Sequence, residues 1–251
     1  MNAGIFRQEH YRVRLEWGRE GVEQLAGECG VLIVVDVLSF STSVDIAVGR
    51  GGRVLPIPLR HNDPRAAIEA ERAGAVLAAA KYEPGWSLSP SSLLELPANT
   101  LLALPSPNGA TLSARAAEFD TRVIAGSLRN ASAVAEAAVD LAGDLPIGVI
   151  AAGERWGVVE GPLRPSIEDY LGAGAIAAAL LDHRDGGSPE ARLAATAFRA
   201  AGRELPRLVA EAISGQELAD AGLAADVRLA AELDASIAVP VLVDGIYSGV
   251  G

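Results

Sequence analysis

The chain has 251 residues, half of them apolar but only 4% aromatic, so its core must be built from Ala, Val, Leu and Ile. A formal charge of −11 and a pI near 4.8 exclude the basic footprint of a nucleic-acid surface. They leave a small anionic ligand open, because a bound cation or a local group of arginines can invert the potential of a cleft. Lys81 is the only lysine and Cys29 the only cysteine, so a P-loop, Schiff-base chemistry, an internal disulfide and a cysteine-held metal are left with almost no candidates. The first ten residues lack the basic and apolar regions of a signal peptide, and no apolar run is long enough to span a membrane. The expectation is a soluble, cytoplasmic protein without membrane or nucleic-acid partners. Its oligomeric state is left open, a homo-oligomer included.

In chain order, Tyr11–Trp17 alternates polar and apolar residues and predicts a half-exposed strand, followed by an amphipathic helix with Val22, Leu25 and Ala26 on one face. Val31–Val35 is a short β-branched run of the kind buried on both faces of a parallel sheet. It ends in Asp36, and the residues after it fit a helix whose first turn holds Ser41 and Thr42. Arg53–Ile57 predicts a further strand, near an edge because Pro56 has no N–H to donate. Asn62-Asp63-Pro64 predicts a helix start. Strand-like runs at 75–79, 100–104, 122–125 and 147–151 follow, and a Pro- and Ser-rich loop over 81–97 interrupts them. Several of these runs end in a small-residue turn bearing Ser, Asn, Asp or Glu and lead on to a helix.

Strands alternating with helices predict an α/β fold, with layered helices around a largely parallel or mixed sheet. Residues beyond 150 read as mostly helical. Capping boxes are expected at Ser166-Ile167-Glu168-Asp169 and Ser214-Gly215-Gln216-Glu217, and a final edge strand at Val239–Val243. The expected division is an α/β region over 1–150 carrying most strand-end turns, with a helical region over 151–251 packed against it or integrated into one unit.

In α/β sheets ligands collect at the carboxyl ends of strands, where loops meet helix N-termini. Asp36 sits at such an end and suits a Mg²⁺ ligand or a nucleophile, and Ser41 and Thr42 suit phosphate donors. The plainer readings are a turn-forming Asp and a helix-capping hydroxyl.

The succession of turns resembles the 2-phosphosulfolactate phosphatase family from Asp36 to Pro240. The resemblance rests on Asp36-Val37-Leu38 with Ser41-Thr42, Asn108-Gly109, Gly126-Ser127 with Asn130-Ala131, Glu168-Asp169 with Ala173-Gly174, Ser214–Leu218, Gly222, Asp226-Val227 and Val239-Pro240. Single fragments are weak; their order and spacing are specific. The resemblance implies an α/β, Mg²⁺-dependent hydrolase that converts 2-phosphosulfolactate to sulfolactate and phosphate, with phosphate esters of 2-hydroxy acids as the wider class. Departures occur at Ser39, where the family commonly has Arg, at Ser106, Pro107 and Ala110 in place of threonines, and at Ser87 in place of Asp.

With the resemblance in view, Asp36 and Glu154 are the candidate catalytic residues, and Asp36, Glu154 and Asp169 the candidate metal ligands. Glu154 follows a strand and two small residues, as a ligand or a water-activating base should. Glu168 and Asp169 are also explained by the capping box alone. Candidate substrate-binding residues are Ser41, Thr42, Asn108, Gly109, Ser127, Arg129 and Asn130. Among them Gly109 lets backbone approach an oxyanion closely, and Arg129 could supply the positive charge absent at Ser39. None of the three histidines falls at a strand-end turn. A non-catalytic anion-binding or regulatory relative on the same fold is the alternative.

Overall fold

A computed structural model describes residues 3–157 and 161–249. The strand-then-helix rhythm begins with β1 (Val13–Trp17) and α1 (Gly18–Leu25), β2 (Val31–Val35) and α2 (Phe40–Gly49), then β3 (Arg53–Ile57) and α3 (Pro64–Arg72). A short β4 (Val76–Leu77) leads through a long connection to β5 (Leu101–Pro105) and α4 (Gly109–Ala116). Next, β6 (Arg122–Gly126) passes through a 3₁₀ turn at Leu128–Asn130 into α5 (Ala131–Ala142), and β7 (Ile147–Ala151) enters a ribbon of β8 (Glu154–Arg155) and β9 (Leu163–Arg164). The helices α6 (Ile167–His183), α7 (Pro189–Ala201), α8 (Leu205–Glu211), α9 (Ile213–Asp220) and α10 (Ala224–Ala230) precede a hairpin of β10 (Pro240–Val243) and β11 (Ile246–Gly249). No helix among the described residues is long and apolar enough to cross a membrane.

One mixed sheet runs in the order β1-β7-β2-β6-β10-β11-β3-β5-β4. Strands β1, β7, β2 and β6 are mutually parallel, as are β3, β5 and β4. Between the two groups the hairpin makes only antiparallel pairs, to β6 on one side and β3 on the other. Alternation along β2 divides the core. Val31, Ile33 and Val35 face a layer containing α5, α6 and α7, whereas Leu32 and Val34 pack with Val22 and Leu25 of α1 and with Phe40 and Val44 of α2. Every residue of β2 is buried, as a strand covered on both faces requires.

Several local expectations change in the fold. Pro56 lies on a strand flanked by two neighbours, not at an edge. Val54 pairs with Tyr247 of β11, and that ladder stops there. Backbone groups two residues apart point the same way along a strand, so the nitrogen of Pro56 faces the side where pairing has ended. β1 is more buried than its alternation suggests. Arg14 is only 2% exposed, because its guanidinium turns back to donate to the carbonyls of Arg7, Glu9 and Tyr11 in the N-terminal segment. β10 is an interior strand. Its partner β11 lies beyond Asp244-Gly245, both at positive φ (50° and 78°) as a two-residue hairpin turn demands.

Neither expected capping box forms. Ser166 Oγ donates to Asp169 Oδ2 instead of accepting from the backbone, and Ser214 lies inside α9, which starts at Ile213.

Candidate active site

Asp36 follows β2 immediately, and a compact turn re-aims its carboxylate. Ser41 N donates to the Asp36 carbonyl (2.8 Å), Asp36 N donates to Ser41 Oγ (2.9 Å), and that hydroxyl donates to Val34 O (3.0 Å). Thr42 Oγ1 donates to Val37 O (2.8 Å). Ser41 and Thr42 are therefore fully buried braces of the turn, their hydroxyls occupied by the loop itself.

The Asp36 carboxylate receives backbone donors from two elements. Gly109 N, at the start of α4, donates to Oδ2 (2.8 Å), and Phe40 N donates to Oδ1 (3.3 Å). Only glycine allows the first contact. A Cβ on residue 109 would lie 2.2 Å from Phe40 Cδ1 and 2.8 Å from Asp36 Oδ2. Burial pushes the Asp36 carboxyl up to about 6, and the charge of Glu154 adds to this; the two backbone donors and the Lys81 ammonium oppose it.

Glu154 opens β8 directly beyond the end of β7, the strand paired with β2. Its Oε2 accepts from Asn108 Nδ2 (3.1 Å), so Asn108 and Gly109 hold the two carboxylates from one turn. Asp169, on the first turn of α6, clamps the loops behind them. Oδ1 accepts from Val37 N, and Oδ2 accepts from Gly153 N and Ser166 Oγ, all at 2.8 Å. Burial, reinforced by the charges of Glu168 and Asp36, holds the Asp169 carboxyl well above the usual carboxylate range. Its neighbour Glu168 is buried, with Oε2 unpartnered, and is likewise raised by burial.

Asp36, Glu154, Glu168 and Asp169 thus form a chain of mutually interacting carboxylates. Among the described residues no group of three His, Cys, Asp or Glu converges closely enough to chelate a metal unaided. The donor set suits a hard cation that keeps most of its ligands as water or phosphate oxygen, as Mg²⁺ does with one or two carboxylates.

The other expected binding residues lie in a different network. Asn130 Oδ1 accepts from both Ser127 N and Ser127 Oγ, and its amide nitrogen donates to Ala238 O (3.0 Å), so this pair closes the β6 turn against the C-terminal segment. Arg129 donates through Nε to Asp45 of α2 (3.1 Å) and through a second nitrogen to Glu232 and Leu229 O. Its guanidinium ties α2 to the segment after α10.

Sequence reasoning missed the cation that does reach the turn. Lys81 Nζ donates to Ser39 Oγ (2.9 Å), and burial lowers the Lys81 amine against the opposing charges of Asp36, Asp226 and Glu154. Residues 39 and 81 are 42 positions apart in unrelated loops, so no local pattern links them. The one signal was that the chain's only lysine opens the long loop already marked as irregular. On the Glu154 side, a cavity of about 500 Å³ is lined by Arg60, Arg65, Arg155 and Asn108 together with the carboxylates of Asp63 and Glu154, Asp63 being paired with Arg65 (2.6 Å). It concentrates guanidinium groups in a chain of strongly negative net charge. All three histidines are exposed, and His61 bonds the Ala78 carbonyl.

With this geometry in place, comparison with known proteins is informative. A family model described as 2-phosphosulpholactate phosphatase matches residues 20–245, a span containing all the residues above that meet at Asp36. A protein of Deinococcus radiodurans named "Probable 2-phosphosulfolactate phosphatase" is 28% identical over 227 residues, covering 86% of this chain and 88% of its own length.

Proposed function

Because the chain belongs to the 2-phosphosulpholactate phosphatase family and is a phosphoric monoester hydrolase by that membership, we propose that it hydrolyses 2-phosphosulfolactate to sulfolactate and phosphate at the Asp36 turn, in a Mg²⁺-dependent reaction. The family match over residues 20–245 carries the reading. A substrate with three acidic groups also suits the cavity beside Glu154, where three guanidinium groups outnumber the carboxylates of Asp63 and Glu154, since guanidinium forks bind carboxylate and sulfonate oxygens in pairs. Cys29, a free and buried thiol, is compatible with a cytoplasmic setting.

In this reading Asp36 and Glu154 would hold Mg²⁺. The ion would neutralise phosphoryl charge and acidify bound water. Asp36 is kept in place by Gly109 N and Phe40 N. Asn108 orients Glu154, which is half-buried at the rim of the cavity and able to take a proton from the attacking water. Asp169 keeps the β2 and β7 turns in register, with its oxygens engaged by three donors. Proton transfer falls to carboxylates because the histidines are exposed elsewhere.

The test is a ranking of kcat/KM with Mg²⁺ for 2-phosphosulfolactate, 2-phospholactate and a simple alkyl phosphate. The expected order falls as acidic groups are removed. Equal rates on all three, or no phosphate release from any, would overturn the assignment.

A further inference from the structure

We propose that Lys81 is the group that receives the phosphoryl oxygens of the ester, with Ser39 holding its ammonium in place. This rests on the phosphatase reading above and assigns a binding role within that site.

A lysine at a protein surface buries its methylene stem and extends the ammonium into water. Lys81 does the reverse: its nitrogen reaches inward to Ser39 Oγ, on a residue only 2% exposed. An ammonium has three donors. Among the described residues Ser39 Oγ is its one hydrogen-bond partner, and no carboxylate lies within the 4.0 Å of an ion pair. Two donors are therefore left without a protein acceptor among the described residues, within the field of Asp36.

The surroundings explain why the cation stays. Asp36, Glu154 and Asp226 all act on it electrostatically, yet none contacts it directly. Asp226 is fully buried, bonds Ser91 N through Oδ1 and leaves Oδ2 unpartnered. A compact cation that forms no direct ion pair with these carboxylates keeps its donors for another anion, such as a phosphoryl group. From solvent, Lys81 is reached through a cavity of about 580 Å³ lined by Trp86, Ser87, Ser89 and Ser92, with Glu83 and Glu95 also on its wall. The Pro- and Ser-rich loop is then the wall that carries the phosphate-binding cation.

The single lysine makes the test direct. Wild-type protein is treated with an amine-reactive reagent with and without inorganic phosphate, and the label on Lys81 is separated from that on the N-terminus by peptide mass spectrometry. Saturable protection of Lys81 by phosphate is expected. Unchanged labelling at saturating phosphate overturns the proposal.

In parallel, Lys81→Met should weaken calorimetric phosphate binding about 10- to 100-fold, the range for a charge-assisted hydrogen bond. Its kcat/KM should fall with an unchanged melting temperature, and Lys81→Arg should recover part of the affinity. A merely structural counter-ion would show a lowered melting temperature with wild-type phosphate affinity, and that result also overturns the proposal. Phosphate protection without turnover of any ester would leave Lys81 as an anion-binding group and remove the phosphatase reading. Turnover without protection would do the opposite.

Discussion

At the scale of single residues, Asp36 and Gly109 depend on each other. Burial raises the Asp36 carboxyl from the ordinary 3.8 to about 6, so the native state holds that proton more tightly than the unfolded chain. Above pH 6 the ionised side chain therefore costs the fold stability, which a bound cation and substrate would offset. Asp36→Asn should abolish turnover and, at pH 7–8 in the presence of a chelator, stabilise the protein by about 1–3 kcal/mol in thermal melts. A variant that is inactive and also melts lower would mean that the hydrogen bonds from Gly109 and Phe40 outweigh the burial cost. Gly109→Ala should act in the opposite sense on the fold. Its methyl would push on the Phe40 ring and the Asp36 carboxylate, costing about 1–3 kcal/mol in denaturant unfolding together with most of the activity.

Among the elements, the β10–β11 hairpin and α2 brace the site from behind. Tyr247 of β11 is fully buried and bonds Ser113 (2.7 Å), whose Oγ donates to Gly109 O (2.7 Å), so the last strand braces the glycine that grips Asp36. On α2, Asp45 is fully buried and faces Arg129. Arg129→Met should destabilise the protein by about 3–5 kcal/mol, since it leaves a buried carboxylate without its partner. The folded fraction should keep its KM; a raised KM at wild-type stability would return Arg129 to the substrate. The sequence made β2, its following helix and the strand-end turns legible, because β-branched runs and small polar turns are local signals. β11 went unseen although Asp244-Gly245 is a strong hairpin cue, because Ile246–Gly249 is too short to show a period. The split of the turn hydroxyls and amides into braces and the inward aim of Lys81 were not legible. Both depend on which distant loop the chain brings alongside.

For the whole molecule, the hairpin sets the geometry. It reverses the sheet, so the β3, β5 and β4 group runs opposite to the β2 group. The five strand steps from β2 to β5, at the usual twist, add to about 100–125°. The turns that follow β2 and β5 come together, as the Gly109–Asp36 bond records. The cost is a concentration of buried acid: burial raises Asp36, Asp45, Glu168 and Asp169 together. Raised native carboxyls favour the fold at low pH, so in chelator the melting temperature should fall as pH rises from about 4 through 6. A melting temperature that climbs across this window would contradict the burial pattern.

The central claim is that the Asp36 turn is a metal-dependent phosphatase centre. Its most direct test is release of inorganic phosphate from 2-phosphosulfolactate by the wild-type chain, measured as Mg²⁺ is added to chelator-treated protein. Saturable activation by the metal, lost in Asp36→Asn, is the predicted result. Phosphate release that is indifferent to both chelator and Asp36→Asn would contradict the account.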